Sequence, residues 1–312
     1  MMEILINLSI FLIIFLVMSL LVFGQKPKDL KLLEEKLLQS DQNTTCQKPK
    51  IGEKNQFDYL PLFSFGGSGN TWVRHLIEQS TGYCTGSVYN DQSLASNLIA
   101  ELIDINKKST IVQKSHNVDG FLRVLPKNIR KSTKIAGCVF IFRNPRDAIL
   151  AEYNRRSLHD QHAGSVDSKI LKKRLTRKYW NETSDLLASK FTYEYRQELK
   201  FCLDKARSKS PYFLIFYEEL KKSETNLIIT MKNLVNYLNQ IYQNQHLEEK
   251  EKIIFRESCL RKNLEGNFHR NSSTRNWDVA QFLSDTAIKN INQSLDKLKD
   301  KFGISFPEEY WI

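Results

Sequence analysis

The 312-residue sequence contains no Cys-x-x-Cys pair, no internal repeat and no low-complexity tract. The first absence argues against the common zinc frameworks, and the second against solenoids and propellers. No pattern of an RNA- or DNA-binding module occurs, although the formal net charge is +11. That charge suits an anionic ligand such as a nucleotide, an acidic glycan or a lipid headgroup, although lysines scattered on helix surfaces would produce the same figure. No clustered carboxylates call for a metal. The glycine-rich turn that interrupts the first half of the chain also lacks the lysine that phosphate loops usually carry.

Five cysteines are present: Cys46, Cys84, Cys138, Cys202 and Cys259. Cys138 lies inside an apolar run and reads as core. In an oxidising compartment the expected pair is Cys202–Cys259, because both fall on expected helices.

One long apolar run, residues 4–23, is long enough to cross a bilayer as a helix. It reads as an uncleaved signal-anchor, with a cleaved signal peptide as the other reading. Lys26, Lys28 and Lys31 follow it, which places the following chain on the cytoplasmic side. The sequons at Asn43, Asn181, Asn271 and Asn292 point instead to the secretory lumen. The expected division is an anchor over 1–24, a polar stem over 25–55 and one large domain over 56–312.

Four short apolar runs lack strict alternation, as strands covered on both faces do: 59–65, 110–113, 135–142 and 212–217. Helical periodicity separates and follows them. Val73, Leu76 and Ile77 share one face; Ile288, Ile291, Leu295, Leu298 and Phe302 share another, with Gly303 as the stop. The expected fold is α/β, a P-loop-like three-layer sandwich around a central parallel sheet, with an N-terminal transmembrane helix. Ligands of such sheets bind at the carboxyl ends of the strands.

Four strand ends therefore carry the candidates. After the first run come Gly66, Gly67, Ser68, Gly69, Asn70, Thr71 and Trp72. Three residues without Cβ let backbone N–H groups approach an anion, and the following helix adds its N-terminus. Asn70 stands where a Walker lysine would, which disfavours an ordinary ATPase or kinase. After the second run, Lys114 and His116 are two residues apart and point the same way if the chain is extended. They pair a cation with a base. Arg143 ends the third run as an anion fork, with Pro145 opening a helix. Tyr217 ends the fourth, able to pack on a base or to cap the core. A late polar loop, 266–277, adds Arg270 and Arg275.

In motif order over about residues 58–305, the sequence resembles the sulfotransferase superfamily. The phosphosulfate-loop motif of that family appears as 65–72, its KTH segment as Lys114-Ser115-His116, and its RNPKD segment as Arg143-Asn144-Pro145-Arg146-Asp147. Its YEDLK segment appears as 217–221, and its late loop survives as Arg270 and Trp277. Within the superfamily, 64–91, 143–156 and 256–270 look most like the sulfotransferase domain of the WSC-domain-containing sialate sulfotransferases, though no WSC module is present.

The resemblance implies 3′-phosphoadenosine 5′-phosphosulfate as co-substrate, no metal, and a glycan hydroxyl as acceptor, with sialic acid a candidate. It implies His116 as general base; because the loop lysine is missing, Lys114 is expected to neutralise the leaving phosphate, helped by Arg74 in the following helix. Arg143 and Arg270 would hold the 3′-phosphate, with Trp72 and Tyr217 against adenine. It also implies a single-pass type II Golgi membrane protein with a lumenal domain; separately, the polar segment 155–168 reads as an acceptor-side lid, and no nucleic-acid partner is expected.

Two residues depart from the family pattern. Gly67 stands where a lysine is usual, and Ala151 where a serine hydroxyl is usual. Both departures support one rival expectation, an inactive membrane-tethered binding protein on the same fold; a second rival, a P-loop phosphoryl-transfer enzyme, is disfavoured by the missing lysine and by the lack of a clear acidic metal ligand.

Overall fold

The computed structural model describes residues 46–157, 177–243, 252–264 and 283–311. The apolar run 4–23, most of the 25–55 stem, Arg270, Arg275, Trp277 and nearly all of the 155–168 segment lie outside them. Among the described residues no helix is long and apolar enough to cross a membrane.

The elements follow in the order β1 (Pro61–Ser64), α1 (Asn70–Thr81), β2 (Gly86–Ser87), β3 (Gln113–Ser115), α2 (Val118–Val124), β4 (Cys138–Phe142) and α3 (Pro145–Ser157). Next come α4 (Arg177–Lys205), β5 (Tyr212–Phe216), α5 (Tyr217–Lys222), α6 (Glu224–Gln243), α7 (Glu257–Lys262) and α8 (Asp285–Phe302). The five strands form one parallel sheet in the order β2-β3-β1-β4-β5. The chain leaves β1 towards β3 and later returns to the other side of β1 as β4. The strand order therefore reverses between β1 and β4, and it is at the carboxyl ends of the strands beside such a reversal that ligands of parallel sheets bind.

Both faces of the sheet are covered, as the unbroken apolar runs predict. One face turns Phe63, Phe140 and Phe142 towards Leu187, Phe191 and Tyr195 of α4 and Ile291 and Leu295 of α8. The other turns Leu62, Val139, Ile141 and Ile215 towards Val73 and Leu76 of α1 and Met231 and Leu234 of α6. All these residues are fully buried. Each such side chain contributes about 1.5–3 kcal/mol relative to exposure. Helix ends follow the sequence cues: Gly303 closes α8 at φ 66, and the Ser284 hydroxyl accepts from Ala287 N–H at its start.

Three expectations change. β2 has only two residues, Gly86 and Ser87, so no apolar run announced it. The second strand is shifted to Gln113–Ser115, because Ile111 and Val112 are buried before the ladder begins. The disulfide is Cys138–Cys202 rather than Cys202–Cys259. Cys138 opens β4 on the face that α4 covers, which brings its Cα to 6.2 Å from that of Cys202. Cys46 and Cys259 are disulfide-bonded as well. Cys84 is a buried free thiol, pushed up to about 12 by desolvation.

Peptide mapping without reductant should recover a 138–202 linked peptide. The Cys138→Ala/Cys202→Ala double variant should lose about 2–4 kcal/mol in urea unfolding. Free thiols at both positions would contradict the pairing.

Candidate active site at the carboxyl edge of the sheet

Parallel register places the candidates side by side. Leu62 pairs with Lys114 on one flank and Val139 on the other, so β1, β3 and β4 end at similar heights. The Gly-rich turn, His116 and Arg143 follow those three ends directly.

The turn is shaped by two glycines with positive φ, Gly67 at 80° and Gly69 at 82°. Gly69 is the N-cap of α1 and accepts from Val73 N–H at 3.1 Å. A Cβ on Gly69 would stand 2.3 Å from the Tyr217 ring, so Tyr217 lies directly on the turn. A Cβ on Gly67 would stand 2.7 Å from Ala148 O, 2.8 Å from Ala151 Cβ and 2.8 Å from Glu152 N. The two positions that depart from the family pattern therefore face each other. The turn packs against the backbone of α3, and no side chain fits at position 67.

Around this turn a hydrogen-bond frame holds the strand ends. Tyr195 of α4 accepts from Phe65 N–H at 3.1 Å and donates to Ile141 O at 2.6 Å, tying β1 to β4. Asn70 Nδ2 donates to Ser64 Oγ at 2.8 Å. His116 Nδ1 lies 2.8 Å from Ser64 O. A carbonyl only accepts, so Nδ1 carries the hydrogen and Nε2 is the basic nitrogen. Ser64, which no motif marks, thus orients both the start of α1 and the histidine. Tyr89 is a second residue missed from sequence: its phenol accepts His116 N–H at 2.8 Å, and its ring receives the Lys114 ammonium at 5.4 Å. Lys114 belongs to β3 itself and is only 7% exposed.

Arg143 bends onto the turn. Its Nη1 donates to Gly67 O at 2.7 Å, and its guanidinium lies 4.8 Å from the Tyr217 ring centroid. Its Nε is buried and has no protein partner among the described residues. Its Nη2 lies 3.8 Å from Asp147 Oδ2 at the start of α3, a long and half-exposed ion pair that leaves Nε as a spare donor. Glu218 holds the 143–146 turn from below: it accepts Asn144 N–H at 3.0 Å and the Tyr310 hydroxyl.

Other candidates have structural duties. Trp72 is buried edge-on to Tyr217 at 5.6 Å, and its indole N–H donates to Leu264 O at 2.9 Å. It supports Tyr217 from behind. Arg74 cannot help at the phosphate, which corrects that expectation: it is fully buried, paired with Glu101 at 2.5 Å and bonded to Thr85 at 2.9 Å. Ser68 is buried and Thr71 half-buried beside the turn.

On the side of α4 facing α2, a cleft of about 290 Å³ is lined by Asn117, Asp119, Glu194, Lys200 and Asp204 among others. Glu194 is raised to about 7 by desolvation, with Lys190 opposing. Glu198, one helical turn on, is fully buried with both oxygens unpartnered among the described residues, and burial holds it well above the usual carboxylate range.

No family model matches the chain. Part of it is similar to WSCD family members. One from Aedes aegypti is 30% identical over 196 residues, covering 59% of this chain and 51% of that protein. One from Drosophila pseudoobscura is 36% identical over 122 residues, covering 39% of this chain and 34% of that protein. The chain thus spans about a third to a half of the length of these curated relatives. They bear out the resemblance read in the motifs. Among solved structures, a mouse sulfotransferase complexed with PAP is similar over 81% of this chain and 87% of that one, at 14% identity and a TM-score of 0.44. Retinol dehydratase in complex with androsterone and inactive cofactor PAP is similar over 82% and 84%, at 14% and 0.38. Those two likenesses are too distant to bear on ligand or activity.

Gly67→Lys should not restore a conventional loop. Positive φ and the α3 backbone together should cost about 2 kcal/mol or more in urea unfolding, whereas Gly303→Ala, with similar φ and open surroundings, should cost about 1 kcal/mol. Equal losses would show that α3 does not restrict position 67.

Glu194 also makes a pH prediction. Its folded pKa of about 7 lies above the ordinary value of 4.5, so the folded state keeps a proton that the unfolded chain releases. The Glu194 contribution to stability should fall as pH rises from about 4.5 to about 7 and change little above it. Thermal melts of Glu194→Gln should show a smaller fall across that window; an unchanged slope would remove Glu194 as the source.

Proposed function

We propose that this chain transfers a sulfuryl group from 3′-phosphoadenosine 5′-phosphosulfate to a hydroxyl of a glycan acceptor, with sialic acid a candidate. The observation that carries the reading is the convergence at one sheet edge of the lysine-free turn, Lys114, Arg143 and a histidine whose Nδ1 is committed to Ser64 O. The similarity to WSCD family members supports it.

The donor supplies the activated sulfuryl group. The turn's backbone N–H groups and the start of α1 face its 5′ end. Positive charge beside the donor's 5′ end is assigned to Lys114, because position 67 has no room for a side chain. Arg143 and Arg270 are assigned to the 3′-phosphate, and Tyr217, backed by Trp72, to adenine. In an in-line displacement the acceptor oxygen bonds to sulfur as the bond from sulfur to the phosphate oxygen breaks. His116 Nε2 takes the hydroxyl proton, and Lys114 offsets charge on the departing phosphate. The disulfides suit an oxidising compartment. That supports a lumenal domain, and with the 4–23 anchor a single-pass type II Golgi protein.

Calorimetric titration with 3′-phosphoadenosine 5′-phosphate should show binding that Arg143→Ala weakens at least tenfold, the scale of a lost charged hydrogen bond. His116→Ala should lower turnover by about 10²–10⁴ while leaving that affinity within about twofold. A folded wild-type protein that binds no nucleotide would favour an inactive binding protein instead. Magnesium-dependent turnover of ATP would favour phosphoryl transfer.

A further inference from the structure

Tyr89 follows β2 on a loop to which the sequence reading assigns no role. Its own N–H donates to Ser87 Oγ at 3.1 Å, and Asn90 beyond it turns the chain with φ 51. The residue is 42% exposed, so its ring is not simply core filling. What it touches is specific. Its phenol oxygen accepts His116 N–H at 2.8 Å. Its ring centroid lies 5.3 Å from that of the imidazole, with the planes inclined by 32°. The Lys114 ammonium lies 5.4 Å from the same centroid.

We propose that Tyr89 is a positioning residue that holds Lys114 and His116 as one unit. His116 lies just past the last residue of β3, where the sheet ladder no longer orients it. The Tyr89 hydroxyl takes its backbone N–H, and the tyrosine ring restricts rotation of the imidazole. With the backbone and one ring face restrained, Nδ1 stays on Ser64 O and Nε2 remains the basic nitrogen. The same ring attracts the ammonium two residues earlier through its quadrupole. One side chain therefore sets the spacing between a base and a cation that the strand alone places only to within a rotamer. Desolvation raises the phenol pKa, so the hydroxyl stays neutral beside the histidine. The geometry is independent of the reaction. Its consequence for turnover rests on the sulfuryl-transfer reading.

Two variants separate ring from hydroxyl: Tyr89→Phe keeps the ring, and Tyr89→Leu removes both. Long-range proton–nitrogen NMR of His116 reports the tautomer without any need for activity. The wild type should show the Nδ1–H form alone. Tyr89→Leu should show mixed tautomers, with Tyr89→Phe in between. Where sulfuryl transfer is measured, kcat should fall about tenfold for Tyr89→Leu and less for Tyr89→Phe, with donor KM within about twofold. A well-folded Tyr89→Leu with the wild-type tautomer pattern would overturn the proposal, as would one whose loss appeared only in KM. Mixed tautomers in a wild type that transfers no sulfuryl group would also overturn it. A single wild-type tautomer, lost in Tyr89→Leu without any sulfuryl transfer, would uphold the positioning and sink only the reaction.

Discussion

The register of β1 against its two neighbours is the constraint on which the site depends. Leu62 sits across from both Lys114 and Val139, and this one alignment places the ends of β3, β1 and β4 together. A slip of one residue would turn Lys114 to the other face of the sheet. The register is held by burial on both faces: Phe63 and Phe140 on one side and Leu62 and Val139 on the other leave no polar face to exchange. It is also held at the rim, where Tyr195 bridges Phe65 and Ile141. The geometry of the edge thus inherits its precision from aromatic packing beneath it.

The lysine-free turn follows from a second constraint, the close approach of α3. Gly67 and Ala151 are contact partners, so their departures from the usual pattern are one structural fact rather than two losses. Tight packing of turn on helix leaves no space for a side chain at 67. Arg143 lies on the carbonyl of that same residue. Lys114 approaches from β3.

The strands, their parallel arrangement and the three layers were legible because both-face burial leaves unbroken apolar runs. The Gly-rich turn, Lys114, His116 and Arg143 were legible because each falls at a strand end, and strand ends can be counted from the sequence. β2 was not, since two residues carry no periodicity. The Cys138–Cys202 pair was not, because pairing depends on which helix covers the start of β4, 64 residues away. Arg74 misled because a basic residue one turn into α1 reads as phosphate-facing. Only burial beside Glu101 assigns it to the interior.

Sequence alone determined the layered α/β architecture and the residue types available at the carboxyl edge of its sheet, because hydrophobic pattern and glycine placement are local properties. Tertiary structure decided the partners. Ser64 on the imidazole, Tyr89 on both Lys114 and His116, and α3 against Gly67 are contacts between segments distant in the chain. No local pattern encodes them, since each exists only once the sheet has brought its strand ends together.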